Sequence, residues 1–153
     1  MSREPWREVV AAEMVYYEKR QKMFDAGAEQ QLRIALSDPT GVATALRILG
    51  DAPVELAMSL FDLVFDRAVR THGPVAAARQ VMARLDSGWL FLALRPLVAA
   101  RLRDPSADWE DYRRVAEVLE QLDQLSILEE VVAIALRSTD PDVREVAEDY
   151  RRR

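Results

Sequence analysis

The sequence predicts an all-α fold built from antiparallel helix pairs, on three observations. Apolar residues recur at the three-then-four spacing of a helix face along nearly the whole chain. Four hinges punctuate that pattern: Leu36-Ser-Asp-Pro39, Thr71-His-Gly-Pro74, Leu102-Arg-Asp-Pro105 and Ser138-Thr-Asp-Pro141. Their prolines lie 35, 31 and 36 residues apart, so each hinge ends one apolar pattern and opens the next. The five glycines are scattered, which leaves no glycine-rich loop to cradle a phosphate and no dinucleotide fingerprint.

Residues 5–26 read as a long helix. Pro5 suits its first turn, and Gly27 suits the position just past its end. Val10, Met14, Tyr17, Gln21 and Phe24 form one stripe, and Val9, Tyr16 and Met23 form a second beside it. As a terminal element this helix is expected to cap one end of the fold. Its aromatic residues Trp6, Tyr16 and Tyr17 also suit a partner-binding face. A short helix over 28–37 leads to the first hinge, and a helix over 40–49 ends at Gly50. Asp51-Ala-Pro53 then opens a longer helix reaching about His72, whose apolar set (Leu56, Leu60, Phe61, Leu63, Val64 and Phe65) is broad enough to be covered on more than one side. Asp62 and Asp66 stand one turn apart on its polar face, but Arg70 follows Asp66 by four residues, the arrangement of an ordinary helix ion pair.

The segment 75–85 is rich in alanine and is broken by Asp86-Ser-Gly88. From Trp89 to Arg103 runs the most apolar helix, with Leu90, Phe91, Leu92, Leu94, Leu97 and Val98 spread around its circumference. Such a helix is expected at the centre, kinked between Leu92 and Arg95 by Pro96. The segment 106–123 carries Trp109, Tyr112, Val115, Ala116, Val118, Leu119 and Leu122 on one side and acids on the other. Ile127, Leu128, Val131, Val132, Ala135 and Leu136 mark the next helix. Asp140 is the expected N-cap of the last helix, over 141–152, with Pro141 its first residue and Val143, Val146, Ala147 and Tyr150 its apolar face.

The run Asp140-Pro-Asp-Val-Arg-Glu-Val-Ala147 resembles the hinge and second-helix start of a HEAT repeat. The likeness extends to the other three hinges, and so to roughly the last four helix pairs. The resemblance implies a short right-handed stack of helix pairs, an α-solenoid, in which the second helix of each pair lines the concave side. The alternative is an irregular helical bundle closed around residues 89–103.

Composition bounds the function. A chain of 153 residues, half hydrophobic and 31% charged, is the size of one globular domain, here taken as 1–153 with 1–26 as its capping helix. It contains no cysteine and a single histidine, His72, which argues against zinc sites, thiolate chemistry and Ser/Cys–His triads. No catalytic set, cofactor site or metal site emerges, and the chain is read as non-enzymatic. No apolar run approaches the ~18 residues of a membrane span, and a cytoplasmic location is expected. The 19 arginines against two lysines, with abundant Ala, Val and Leu, point to a GC-rich bacterial genome.

Charge is segregated. Residues 67–103 hold seven arginines against Asp86, a net +6. Residues 104–130 hold nine acids against Arg113 and Arg114, a net −7. Two expectations compete: the segments neutralise each other where the pairs stack, or one of them steers a charged partner. The leading reading is a protein–protein interaction module, an adaptor or scaffold. An immunity- or antitoxin-like neutralisation of a basic bacterial protein is its specialisation by analogy. The alternative is a nucleic-acid-associated protein using Arg79, Arg84, Arg95, Arg101 and Arg103, against which stands the overall charge of −5. The candidate partner-binding residues on the second helices are Arg47, Arg79, Arg84, Asp108, Asp111, Arg114 and Arg144. Reversing Asp108 and Asp111 to arginine is expected to slow association while leaving the melting temperature nearly unchanged.

Overall fold

A computed structural model describes residues 4–151; the opening Met1-Ser2-Arg3 and the end of the final predicted helix at Arg152 lie outside the described residues. Within them the chain forms ten helices and no strand: α1 (Pro5–Asp25), α2 (Ala28–Ser37), α3 (Val42–Asp51), α4 (Val54–Ser59), α5 (Phe61–Ala68), α6 (Val75–Ala83), α7 (Ser87–Arg103), α8 (Trp109–Gln121), α9 (Leu125–Leu136) and α10 (Pro141–Arg151).

The helix expected from Pro53 to His72 is two. The break falls at Leu60, where Ser59 Oγ donates to the Leu56 carbonyl and Arg33 donates to the Ser59 carbonyl at 3.2 Å. With that carbonyl already engaged, Leu63 N–H turns to Leu60 O instead, and the chain bends into α5. Leu60 itself is fully buried at the corner.

The hinge prolines do not all open helices. Pro141 and Pro5 are first helical residues, and Pro74 immediately precedes α6. After Pro39 and Pro105 the chain first makes a turn, so α3 and α8 begin at Val42 and Trp109 rather than at 40 and 106. The three Asp-Pro hinges share one device. Oδ1 of Asp38, Asp104 and Asp140 accepts the N–H two residues on, from Thr40, Ser106 and Asp142, at 2.7, 2.8 and 2.9 Å. At the first two, the Thr40 and Ser106 hydroxyls donate to the same oxygen at 2.7 and 2.6 Å. The fourth hinge works differently: Gly73 has φ +92°, a conformation that favours glycine. Gly41 sits in a tight place, since a Cβ there would stand 3.0 Å from the Ala35 carbonyl oxygen.

The hydroxyl bonds, then the backbone bonds, hold the Asp38 and Asp104 carboxyls below their ordinary value of 3.8. A depressed folded-state pKa means that the unfolded chain binds the proton more readily. The contribution of these turns is therefore complete above the ordinary value and is lost as the pH falls through the lowered one. Thr40→Val should raise the Asp38 pKa in an NMR titration and leave Asp104 where it is; an unmoved Asp38 would mean that the hydroxyl does not hold it.

Helices on either side of each hinge pack against each other. α2 packs on α3, α5 on α6, α7 on α8 and α9 on α10. Between pairs, α3 meets α6, α2 meets α4 and α5, α5 meets α7, and α8 meets both α9 and α10. One cluster of buried side chains runs from Leu32 in α2 to Tyr150 in α10. The apolar helix α7 is not at its centre, contrary to expectation. Only the stripe Leu90, Leu94 and Val98 is buried, while Leu92 is 71% exposed. α7 is continuous across Pro96, and the Leu92 carbonyl, deprived of its helical donor, belongs to the exposed side. α1 contributes no buried residue, and rests on the body through the half-buried Tyr16, Met23 and Phe24.

Several polar bonds between neighbouring pairs span 31–37 residues. Arg67 donates to Leu36 O 31 residues away, Arg84 to Leu49 O 35 away, and Gln124 to Ser87 O 37 away. Arg101–Asp66, Arg95–Glu130 and Arg113–Asp149 pair across 35, 35 and 36 residues. These separations lie close to the hinge spacing, while Arg33–Ser59, Arg79–Glu117 and Thr71–Glu110 span 26, 38 and 39 residues.

Candidate partner-binding face

The candidate residues fall into three places. Arg47 is exposed on α3 and lines a groove between α3 and α6 with Ala43, Gly50, Pro74, Gln80 and Arg84, enclosing about 540 Å³. Arg84 lines the same groove and donates to the carbonyls of Leu49 and Ala52, the latter at 2.8 Å. It therefore caps the C-terminal end of α3, where helix carbonyls have no donor of their own.

A second group is built around Glu117 on α8. Arg79, with a side chain only 14% exposed, donates to Ala68 O at 3.0 Å and to Glu117 at 3.1 Å. Arg114 holds the other Glu117 oxygen at 3.0 Å. Partial burial works to raise the Glu117 pKa, but the bonds and charges of Arg114 and Arg79 outweigh it and hold the carboxyl below its ordinary value.

Beside this group lies a polar groove of about 380 Å³, lined by Arg70, His72, Arg101, Asp108, Asp111 and Arg114 among others. Here Arg70 pairs with Asp66, and Arg101 reaches both Asp66 at 3.4 Å and Asp111 at 3.0 Å. Asp108 and Asp111 are the start of α8. Asp108 accepts from the N–H groups of Glu110 and Asp111, and Asp111 accepts from that of Asp108, a reciprocal capping box. Arg144 stands apart at the last hinge, where it donates to Ser138 O at 2.7 Å.

The basic segment is thus engaged by the fold. Each of its seven arginines, 67, 70, 79, 84, 95, 101 and 103, donates to a carbonyl or carboxylate of this chain. Among these bonds, Arg79–Glu117, Arg95–Glu130 and Arg101–Asp111 join it to the acidic segment. These three pairs cancel part of the charge of each segment.

Two apolar surfaces carry less internal engagement. One is the outer half of α1. The other is a groove of about 650 Å³ at the opposite end of the fold, lined by Leu125, Leu128, Val132, Ala133, Leu136 and Tyr150 with Glu120, Glu129 and Arg151 at its rim. The sequence signal for this groove is α9 itself, apolar well beyond one stripe, so that burying Ile127, Leu128, Val131 and Ala135 still leaves Ile134 and Leu125 exposed. Among the described residues no helix is long and apolar enough to cross a membrane, and no three His, Cys, Asp or Glu side chains gather as a metal site would need. No family model matches the chain, and neither a curated protein nor a solved structure matches it.

Proposed function

We propose that the chain is a non-enzymatic protein–protein interaction module, built as a short HEAT-like solenoid whose second helices α3, α6, α8 and α10 form the docking side. The observation that carries this reading is the repeat of inter-pair bonds at 31–37 residues, in step with the hinges. A stack of that kind presents a long continuous face. On that face the charges differ in availability. Arg79, Arg84, Asp108, Asp111, Arg114 and Arg144 serve the chain's own groups, whereas Arg47 is exposed beside an open groove. Arg47 is therefore the docking residue to test, and an acidic partner surface fits it. Masking of a basic protein would instead use the acids of α8. Against the nucleic-acid alternative stand the overall charge of −5 and the pairing of Arg79, Arg95 and Arg101 with carboxylates of this chain.

The chain, immobilised, is expected to retain a protein from extract of its native host. Arg47→Glu should then slow association with that purified protein about 3–10-fold at low salt, with an unchanged melting temperature. An association rate indifferent to Arg47→Glu would remove this face from the interface. Steeply salt-dependent binding of random duplex DNA would replace the reading with the nucleic-acid one.

A further inference from the structure

We propose that the groove between α3 and α6 takes a short acidic peptide segment of another protein, its side-chain carboxylate paired with Arg47; this rests on the reading of α3 and α6 as part of the docking side. Arg84 at the end of α6 reaches the carbonyls of Leu49 and Ala52 at the end of α3, so the two helices lie side by side with their C-terminal ends together. Between them Leu46, Pro74 and Ala77 supply apolar lining, and Arg47, Gln80 and Arg84 supply the polar groups. From Ala43 to Gly50, α3 rises about 10 Å, the reach of about three extended residues. The volume of about 540 Å³ is likewise that of a small-ligand pocket rather than of a broad protein face.

Charge selects the occupant. Two arginines and no acid line this groove. Grooves elsewhere on the fold carry acids: Glu120 and Glu129 at the α9–α10 end, Asp108 and Asp111 beside α8, and Glu130 between α7 and α9. Arg84 is bonded to backbone carbonyls, so no carboxylate cancels its charge. Asp51, the acid next to Gly50, is bound to Arg20 of α1 at 2.7 Å and does not line the groove. Among the described residues neither Arg47 nor Gln80 has a hydrogen-bond or ion-pair partner. An unpaired guanidinium beside an apolar floor binds a carboxylate through charge-assisted hydrogen bonds, while the floor takes the apolar groups next to it. The Gln80 amide, both donor and acceptor, suits a peptide bond of the occupant. A nucleic acid is disfavoured, because no aromatic side chain lines the groove for a base to stack on and the chain carries −5 overall. An anionic membrane calls for a cluster of about four to eight cations, and this groove offers two.

The probe is a display library of random peptides about seven residues long, enough to cross the groove with flanks, selected on the immobilised chain. Enriched sequences should be acidic. Synthetic copies of them should shift the NMR amide signals of Ala43, Arg47, Gly50, Ala77 and Gln80. Arg47→Glu should weaken their binding about 10-fold or more at low salt. Arg47→Lys, which keeps the charge but loses the bidentate fork, should weaken it only about threefold. Both variants should melt with the wild type, because Arg47 is exposed and bonds to nothing in the fold. No enrichment over the bare support, enrichment of neutral or basic peptides, or acidic peptides indifferent to Arg47→Glu would each overturn the proposal. So would binding of random single-stranded DNA that Arg47→Glu abolishes, which would assign the groove to phosphates. A host protein slowed by Arg47→Glu while no acidic peptide is enriched would leave the docking side standing and remove the acidic segment alone.

Discussion

Leu94→Ala is expected to destabilise the chain by about 2–5 kcal/mol, the range for removing a fully buried leucine where the surroundings relax only partly. Leu94 lies at the middle of the one stripe by which α7 enters the core, between Leu90 and Val98. Trp89, Phe91, Ala93, Leu97 and Leu102 of the same helix are themselves packed against the core, so the space left behind closes only in part. For a domain of this size the loss corresponds to a melting temperature lower by roughly 6–15 °C. Urea titration should show the shift in midpoint with little change in slope. Leu92→Ala, on the same helix and equally apolar, should change stability by no more than ~0.5 kcal/mol, because Leu92 already faces solvent. Two equal effects would contradict the orientation of α7.

That pair of leucines also marks what the sequence could and could not say. Periodicity located nearly every helix because each buries one face, and the face repeats every three or four residues. Proline hinges located the junctions because Asp-Pro sequences favour a turn that their own side chains close. α7 was misplaced because its periodicity carries no orientation: with apolar residues on all sides, the buried stripe depends on which neighbours arrive. The break at Leu60 was invisible for a related reason. It depends on Arg33 reaching the Ser59 carbonyl from another helix, and no local pattern encodes that reach. The charge segregation was legible as a fact but ambiguous in meaning. Only the register of one pair against the next decides that Arg79 meets Glu117 and Arg95 meets Glu130. The candidate residues were chosen as polar positions on second helices; Arg79 and Arg84 join one pair to the next, whereas Asp108, Asp111, Arg114 and Arg144 bond within their own pair, helix or hinge. Arg47 differs because it opens onto a groove rather than onto the next pair's carboxylates.

Replacing both Asp108 and Asp111 by arginine is expected to lower stability by about 2–4 kcal/mol, against the sequence-based expectation that the melting temperature would hold. Exposed charges in general contribute little, but these two are the capping box of α8. Asp108 receives the N–H groups of Glu110 and Asp111 at 2.9 and 3.3 Å, and Asp111 receives that of Asp108 at 3.1 Å. Loss of an N-cap acceptor costs about 0.5–2 kcal/mol, and the reciprocal bond is lost with it. The new cations would sit at the positive end of the helix, each unfavourable by about 0.3–1 kcal/mol. They would also face Arg70, Arg101 and Arg114 across the polar groove, with the Arg101–Asp111 bond gone. Asp108→Asn separates the causes. Asparagine caps as well as aspartate, so this variant should stay within about 0.5 kcal/mol of the wild type. Hydrogen exchange should quicken at Glu110 and Asp111 in the double arginine variant and remain slow in Asp108→Asn. An unchanged melting temperature in the double variant would mean that the carboxylates do not hold the start of α8. If the loss is found, any slowed binding by that variant reports damage to α8 as readily as damage to a docking face. Arg47→Glu then remains the substitution that probes docking alone.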